Sequence, residues 1–114
     1  AKSLAAFRTD LGTEMSRVTV VVQTEFGRRA QENSGLGTDH GRASMMLLMG
    51  GGVKGGKVYS NWPGLESEQL EDPGDLQVTT DYRDVLAEVL FARTANRDIQ
   101  AVFPGLQRRK VGVF

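Results

Sequence analysis

Glu25 directly follows an apolar, β-branched run, Val18-Thr19-Val20-Val21-Val22-Gln23, and Arg28 and Arg29 come just after it. Ligands of open α/β sheets bind beyond the carboxyl ends of the strands, so this spacing puts a carboxylate where a site is expected. Asp39 and His40 lie in the next polar, glycine-rich stretch, Gln31 to Gly41, and folding back over the same sheet edge would bring them to Glu25. A Glu, an Asp and a His converging in this way suit a hard or borderline divalent cation: zinc, manganese, magnesium or calcium. Arg28 and Arg29 would then offer charge-assisted hydrogen bonds to an anionic ester. The plainer reading pairs Glu25 with an arginine and leaves His40 solvated in a loop. The chain has one histidine and no cysteine, so thiolate metal sites are excluded and a multi-histidine site needs another chain or segment.

Two other constellations bear on ligand binding. Gly51-Gly52-Val53-Lys54-Gly55-Gly56-Lys57-Val58 nearly spells the phosphate-cradling G-x-x-x-x-G-K-[ST] loop. Val58 stands where the magnesium-binding hydroxyl should be, and the loop-like residues that follow offer no helix N-terminus to a phosphate, so nucleotide binding is rejected. Trp62 and Tyr59, beside Lys57 and Pro63, form either an aromatic surface for a ligand or, as expected here, a pin holding a long loop to the core.

The elements that must position these residues follow from periodicity. Leu4, Phe7, Leu11 and Met15 recur at spacings of three and four, which predicts a helix over 3–15 weakened near Gly12. The run after Ser16 predicts a strand, and apolar residues on both its faces fit a covered parallel sheet. Ala43 to Met49 favours a second short buried strand by its length and flanking glycines, although its unbranched residues suit a helix equally; Gly50 to Gly56 predicts an irregular segment and Lys57 to Asp75 a loop. Thr79 or Thr80 can cap a further helix, with Asp81 and Asp84 in its first turn and Tyr82, Val85, Leu86, Val89 and Leu90 as its core stripe. Ile99 to Pro104 reads as a short helical turn or docking segment.

That order gives an α/β single domain over 1–114: a partial doubly wound sheet with few strands and flanking helices. Two strands alone would both be exposed edges, so the chain is expected to form a homo-oligomer or to join a missing N-terminal part of its parent. Fourteen basic residues balance 14 acidic ones, which removes any global pull toward nucleic acid or a membrane surface. The Arg108-Arg109-Lys110 cluster reads as a solvated tail. No apolar run approaches the roughly 20 residues of a membrane span, and no signal peptide is visible.

Several motifs taken together carry a resemblance: Thr24-Glu25-Phe26-Gly27-Arg28, Gly37-Thr38-Asp39-His40-Gly41, Gly50 to Gly56, Asn61-Trp62-Pro63-Gly64-Leu65 and Thr79 to Leu86. The chain resembles the C-terminal part of a bacterial sulfatase-like family of unknown function in the alkaline phosphatase superfamily, often exported by a twin-arginine signal. The resemblance implies an alkaline-phosphatase-like fold, periplasmic placement of the full-length protein, and two-metal hydrolysis of phosphate or sulfate esters. In one register Asp39-His40-Gly41 is the superfamily's Asp-His-Gly motif. In the other, which suits a strand-loop-strand layout, Glu25 and Phe26 stand in place of Asp and His, and His40 is the later histidine. No catalytic nucleophile is identifiable. The resulting expectation is a partial hydrolase-like domain contributing Glu25, Asp39 and His40 to a divalent-metal site and inactive alone. The alternative is a non-catalytic self-associating domain or a gene fragment.

Overall fold

Residues 19 to 50 fold back on themselves as a two-stranded antiparallel arm, and the turn at 71–76 lies along its outer half beside Arg29. The computed structural model describes all 114 residues. Helix α1 covers Lys2–Leu11 and ends where Gly12 turns to a φ of 48°, after which Gly12–Arg17 continues as a 3-10 segment. The arm holds β1 (Thr19–Val22), β2 (Gly27–Glu32), β3 (Thr38–Gly41) and β4 (Leu47–Gly50). Helix α2 covers Tyr82–Arg93 and the short α3 covers Ile99–Val102.

The sheet is not doubly wound. β1 pairs antiparallel with β4, Val20 opposite Met49 and Val22 opposite Leu47, while β2 pairs antiparallel with β3, Arg28 opposite His40. A parallel pair needs a crossover of a dozen or more residues, usually helical, and the segment from 23 to 46 instead returns as a hairpin. These are two small antiparallel sheets beside a few helices, so the α/β class holds and the expected parallel sheet does not.

The hairpin over 27–41, expected to be loop beyond the charged end of β1, shows why. Arg28, Arg29, Gln31 and Glu32 line a ribbon that is wet on much of its surface, so no apolar alternation marks it in the sequence. Its turn is made by Asn33, whose Oδ1 accepts from the N–H groups of Gly35 (2.9 Å) and Gly37 (3.2 Å). An asparagine side chain bonding the backbone two residues on is a turn device in its own right.

Helix α2 is capped by Asp81, and not by Thr79 or Thr80: its Oδ1 accepts the Arg83 N–H at 2.9 Å. The Arg83 guanidinium closes on the same carboxylate at 2.6 Å and holds Asp81 below the usual carboxylate range. The buried face of α2 also departs from the expected stripe. Asp84, Val85, Ala87 and Glu88 are buried while Tyr82 is exposed.

The core is small. Met15, Val85, Ala87, Leu106 and Val113 are its buried apolar members, and no large side chain is fully buried. The accessible surface is 8250 Å², where a compact chain of this mass exposes about 6,100 Å². The radius of gyration is 16.4 Å, against about 13 Å for a compact domain of this length. Helix α1 has no buried residue at all.

Candidate functional site

The arm positions the residues singled out from the sequence. Glu25 sits in the exposed bend between β1 and β2, where the Thr24 hydroxyl closes a local turn on the Phe26 carbonyl at 2.8 Å. Asp39 and His40 are consecutive on β3, and successive strand side chains point to opposite faces. Their contacts follow that alternation. Asp39 accepts from the Asn33 amide at 2.8 Å and lies 4.0 Å from the Arg29 guanidinium, whereas the His40 ring stacks on Phe26 with centroids 3.7 Å apart.

Glu25, Asp39 and His40 therefore do not close on one point, and no group of three or more His, Asp or Glu side chains could hold a metal ion. Unchanged melting temperatures with zinc, manganese, magnesium or calcium against the EDTA-treated chain would leave these residues without a metal role, since only binding to the folded state raises them. A rise of several degrees that disappears in the Asp39→Ala/His40→Ala double variant would instead establish a site there.

Arg28 and Arg29 are engaged within the fold. Arg28 donates to the Thr38 carbonyl at 2.8 Å and its guanidinium lies 5.8 Å from the Phe26 ring centre. Arg29 faces Asp75 with Nε 3.3 Å from Oδ1, a buried pairing that lacks hydrogen-bond alignment. The turn holding Asp75 lies along the outer edge of β2, where the Ala30 N–H donates to the Gly74 carbonyl at 3.0 Å and the Leu76 N–H to the Arg28 carbonyl at 3.4 Å.

The most built constellation lies elsewhere, at the extended segment 109–114. Two carboxylates one helical turn apart on α2 hold it. Asp84 accepts the Arg109 N–H at 2.8 Å, and Glu88 accepts those of Val111 (2.6 Å), Gly112 (2.9 Å) and Val113 (2.7 Å). Successive N–H groups can converge on one anion only if the backbone makes a concave nest, which requires a left-handed residue. Gly112, at a φ of 88°, is that residue. Burial by itself raises the Glu88 carboxyl, but the amides of Gly112, Val111, Val113 and Phe114 outweigh it and hold Glu88 below its ordinary value.

The glycine-rich segment after β4 closes the other side. Lys54 Nζ donates to the Phe114 carbonyl at 2.6 Å, the Lys54 N–H to the Val113 carbonyl at 2.9 Å, and the Tyr59 hydroxyl lies within 3.0 Å of the Lys54 and Gly112 carbonyls. Tyr59, and not Trp62, thus pins the long loop, and Trp62 is exposed. The arrangement grips an extended backbone; its polar groups are used on each other. The sequence signal for it was two acids at i and i+4 on α2: Asp84 reads as first-turn charge, and Glu88 drew no reading because its partners lie far along the chain.

No helix is long and apolar enough to cross a membrane. No curated protein and no solved structure matches the chain. A protein-family profile described as a protein of unknown function, DUF1501, matches residues 1–113. That family is neither a sulfatase nor an alkaline phosphatase family, which overturns the resemblance drawn from the glycine, Asp-His and Trp-Pro-Gly motifs. Short motifs rich in Gly, Asp and His are shared by many loops, and their order along a chain does not by itself carry a metal site. The match spans nearly the whole sequence, and the chain belongs to the DUF1501 family of proteins of unknown function.

Proposed function

We propose that this chain is a self-associating module, whose arm and helices pack on a second copy of itself. The observation that carries this reading is the exposed area. The chain shows roughly 2,000 Å² more surface than a compact protein of its mass, and a standard interface buries about 800 Å² per partner. Large apolar side chains are part of that surface: Phe7, Val22, Leu47, Leu65 and Trp62 are all exposed. Scattered apolar side chains are ordinary on a surface, but a 10-residue helix without a single buried residue is not. Isolated helices shorter than about 12–15 residues are marginal in water, so α1 gains from a surface that covers it. Equal numbers of acids and bases let two copies approach without net repulsion.

Light scattering coupled to size-exclusion chromatography tests this directly, with small-angle scattering on the same fractions. The expected result is twice the chain mass at micromolar concentration, with a dimer too compact to be two independent copies. A monomer that keeps the 16.4 Å radius of gyration at all concentrations would sink the reading.

A further inference from the structure

We infer that the outer edge of β1 is the strand that joins two copies, antiparallel to its own counterpart across a twofold axis. This rests on the self-association proposed above and names its contact. β1 pairs with β4 alone, and no backbone hydrogen bond outside that ladder uses an N–H or C=O from Thr19 to Val22. The same side of the arm is treated differently further along, where the turn at Gly74 to Leu76 covers β2. One stretch of this edge is closed by the chain itself, and the other is left open.

Which groups point outward follows from the ladder. The Gly51 N–H donates to the Val18 carbonyl at 3.1 Å, so Val18 and Gly51 belong to a bonded pair. Bonded and unbonded pairs alternate along an antiparallel ladder. Val20 with Met49 and Val22 with Leu47 are then bonded, while the N–H and C=O of Thr19 and Val21 face away from β4. An isolated two-stranded ribbon is marginal in water, and a third and fourth strand relieve that.

The segment also lacks the devices that protect an edge. Thr19-Val20-Val21-Val22 contains no lysine, proline or inward charge, and all four residues are β-branched. β4, with Leu47-Leu48-Met49-Gly50, has no β-branched residue and ends on a glycine at a φ of 137°. A twofold through Val21 makes the β1 edge complementary to itself. Val21 of one copy then exchanges both backbone hydrogen bonds with Val21 of the other, and Thr19 faces Gln23. A contact of that kind is isologous and closes as a dimer, without propagating.

Two sets of variants of the full chain test the edge by light scattering. Val21→Pro removes an outward donor and spares the β4 ladder, and should weaken the dimer about a hundredfold by deleting two symmetry-related hydrogen bonds. Val21→Lys and Val21→Glu each place like charges directly opposite across the twofold and should run as monomers. Mixed in equal amounts, the Lys and Glu chains should recover the dimer, which misfolded variants cannot do. A parent dimer that survives both Val21→Lys and Val21→Pro overturns the β1 edge and leaves self-association standing through another surface. Charged variants that stay monomeric on mixing also overturn it. A parent that is monomeric throughout overturns the edge and the self-association together.

Discussion

Replacing Glu88 with alanine should cost about 3–5 kcal/mol of folding stability, because it strands one buried and two half-buried backbone donors that had a charged acceptor. Domains of this size have about 5–15 kcal/mol in all, so the loss takes a large share. Urea denaturation followed by circular dichroism measures it, and hydrogen exchange at Val111, Gly112 and Val113 should rise together in the variant. Glu88→Gln keeps the shape and one acceptor oxygen and should lose clearly less. The wild-type protein carries the same signature in its pH dependence. The folded-state pKa of Glu88 lies below the ordinary 4.5. Its contribution is therefore complete above the unfolded value and is lost as the pH falls through the folded one. Wild-type stability should decline below about pH 4.5, and the Glu88→Ala chain should show a flatter decline over the same range. Equal slopes in the two proteins would mean that the nest does not hold the segment.

Gly51→Ala should be at least as damaging, for a different reason. A Cβ on Gly51 would lie 1.8 Å from the Ser16 carbonyl oxygen and 2.5 Å from its carbon. Both are backbone atoms of the 3-10 segment, so no side chain can swing aside. The Gly51 N–H is also shared there, 3.1 Å from both the Met15 and Val18 carbonyls, and its own carbonyl accepts from Arg93. The clash thus falls where the 3-10 segment, the arm and α2 meet. A loss above about 4 kcal/mol, enough to leave much of the chain unfolded at 37 °C, is expected. Gly55→Ala is the control within the same loop. It has open space and no left-handed φ, and should change the melting temperature little. If Gly51→Ala melts as Gly55→Ala does, the close approach of Gly51 to Ser16 is not what joins these elements.

The two variants also separate the halves of the molecule. Glu88 fastens 109–114 to α2, whereas Gly51 seats the root of the arm on the 3-10 segment. Neither change touches Val21. Any dimer lost in them should therefore follow the loss of fold, and the charge-swap pair remains the specific probe of the edge.

Where elements announce themselves by periodicity, the sequence was legible. The apolar spacing of Leu4, Phe7 and Leu11 marks α1, the β-branched run marks β1, and the apolar residues before Gly50 mark β4. The helix starting at Tyr82 was also readable, one residue from its cap. Each of these rests on forces acting within about a turn or a few strand residues: propensity, alternation and caps. The resemblance to a sulfatase-like family did not survive, because it rested on motif order and not on a placed set of ligands.

By itself, then, the sequence determined the α/β class, the places where α1, β1, β4 and α2 form, and the neutral charge balance. The tertiary structure decided the rest. The direction of β4 relative to β1 depends on the path of 23–46, whose polar hairpin has no apolar signature to read. Asp39 and His40 were separated by the pleat of a strand that was not anticipated. The role of Glu88 arises from a segment 23 to 25 residues away, folded back so that three amides meet one carboxylate. Local patterns record what a residue does beside its neighbours in the chain; convergence across that distance is set only when the backbone closes.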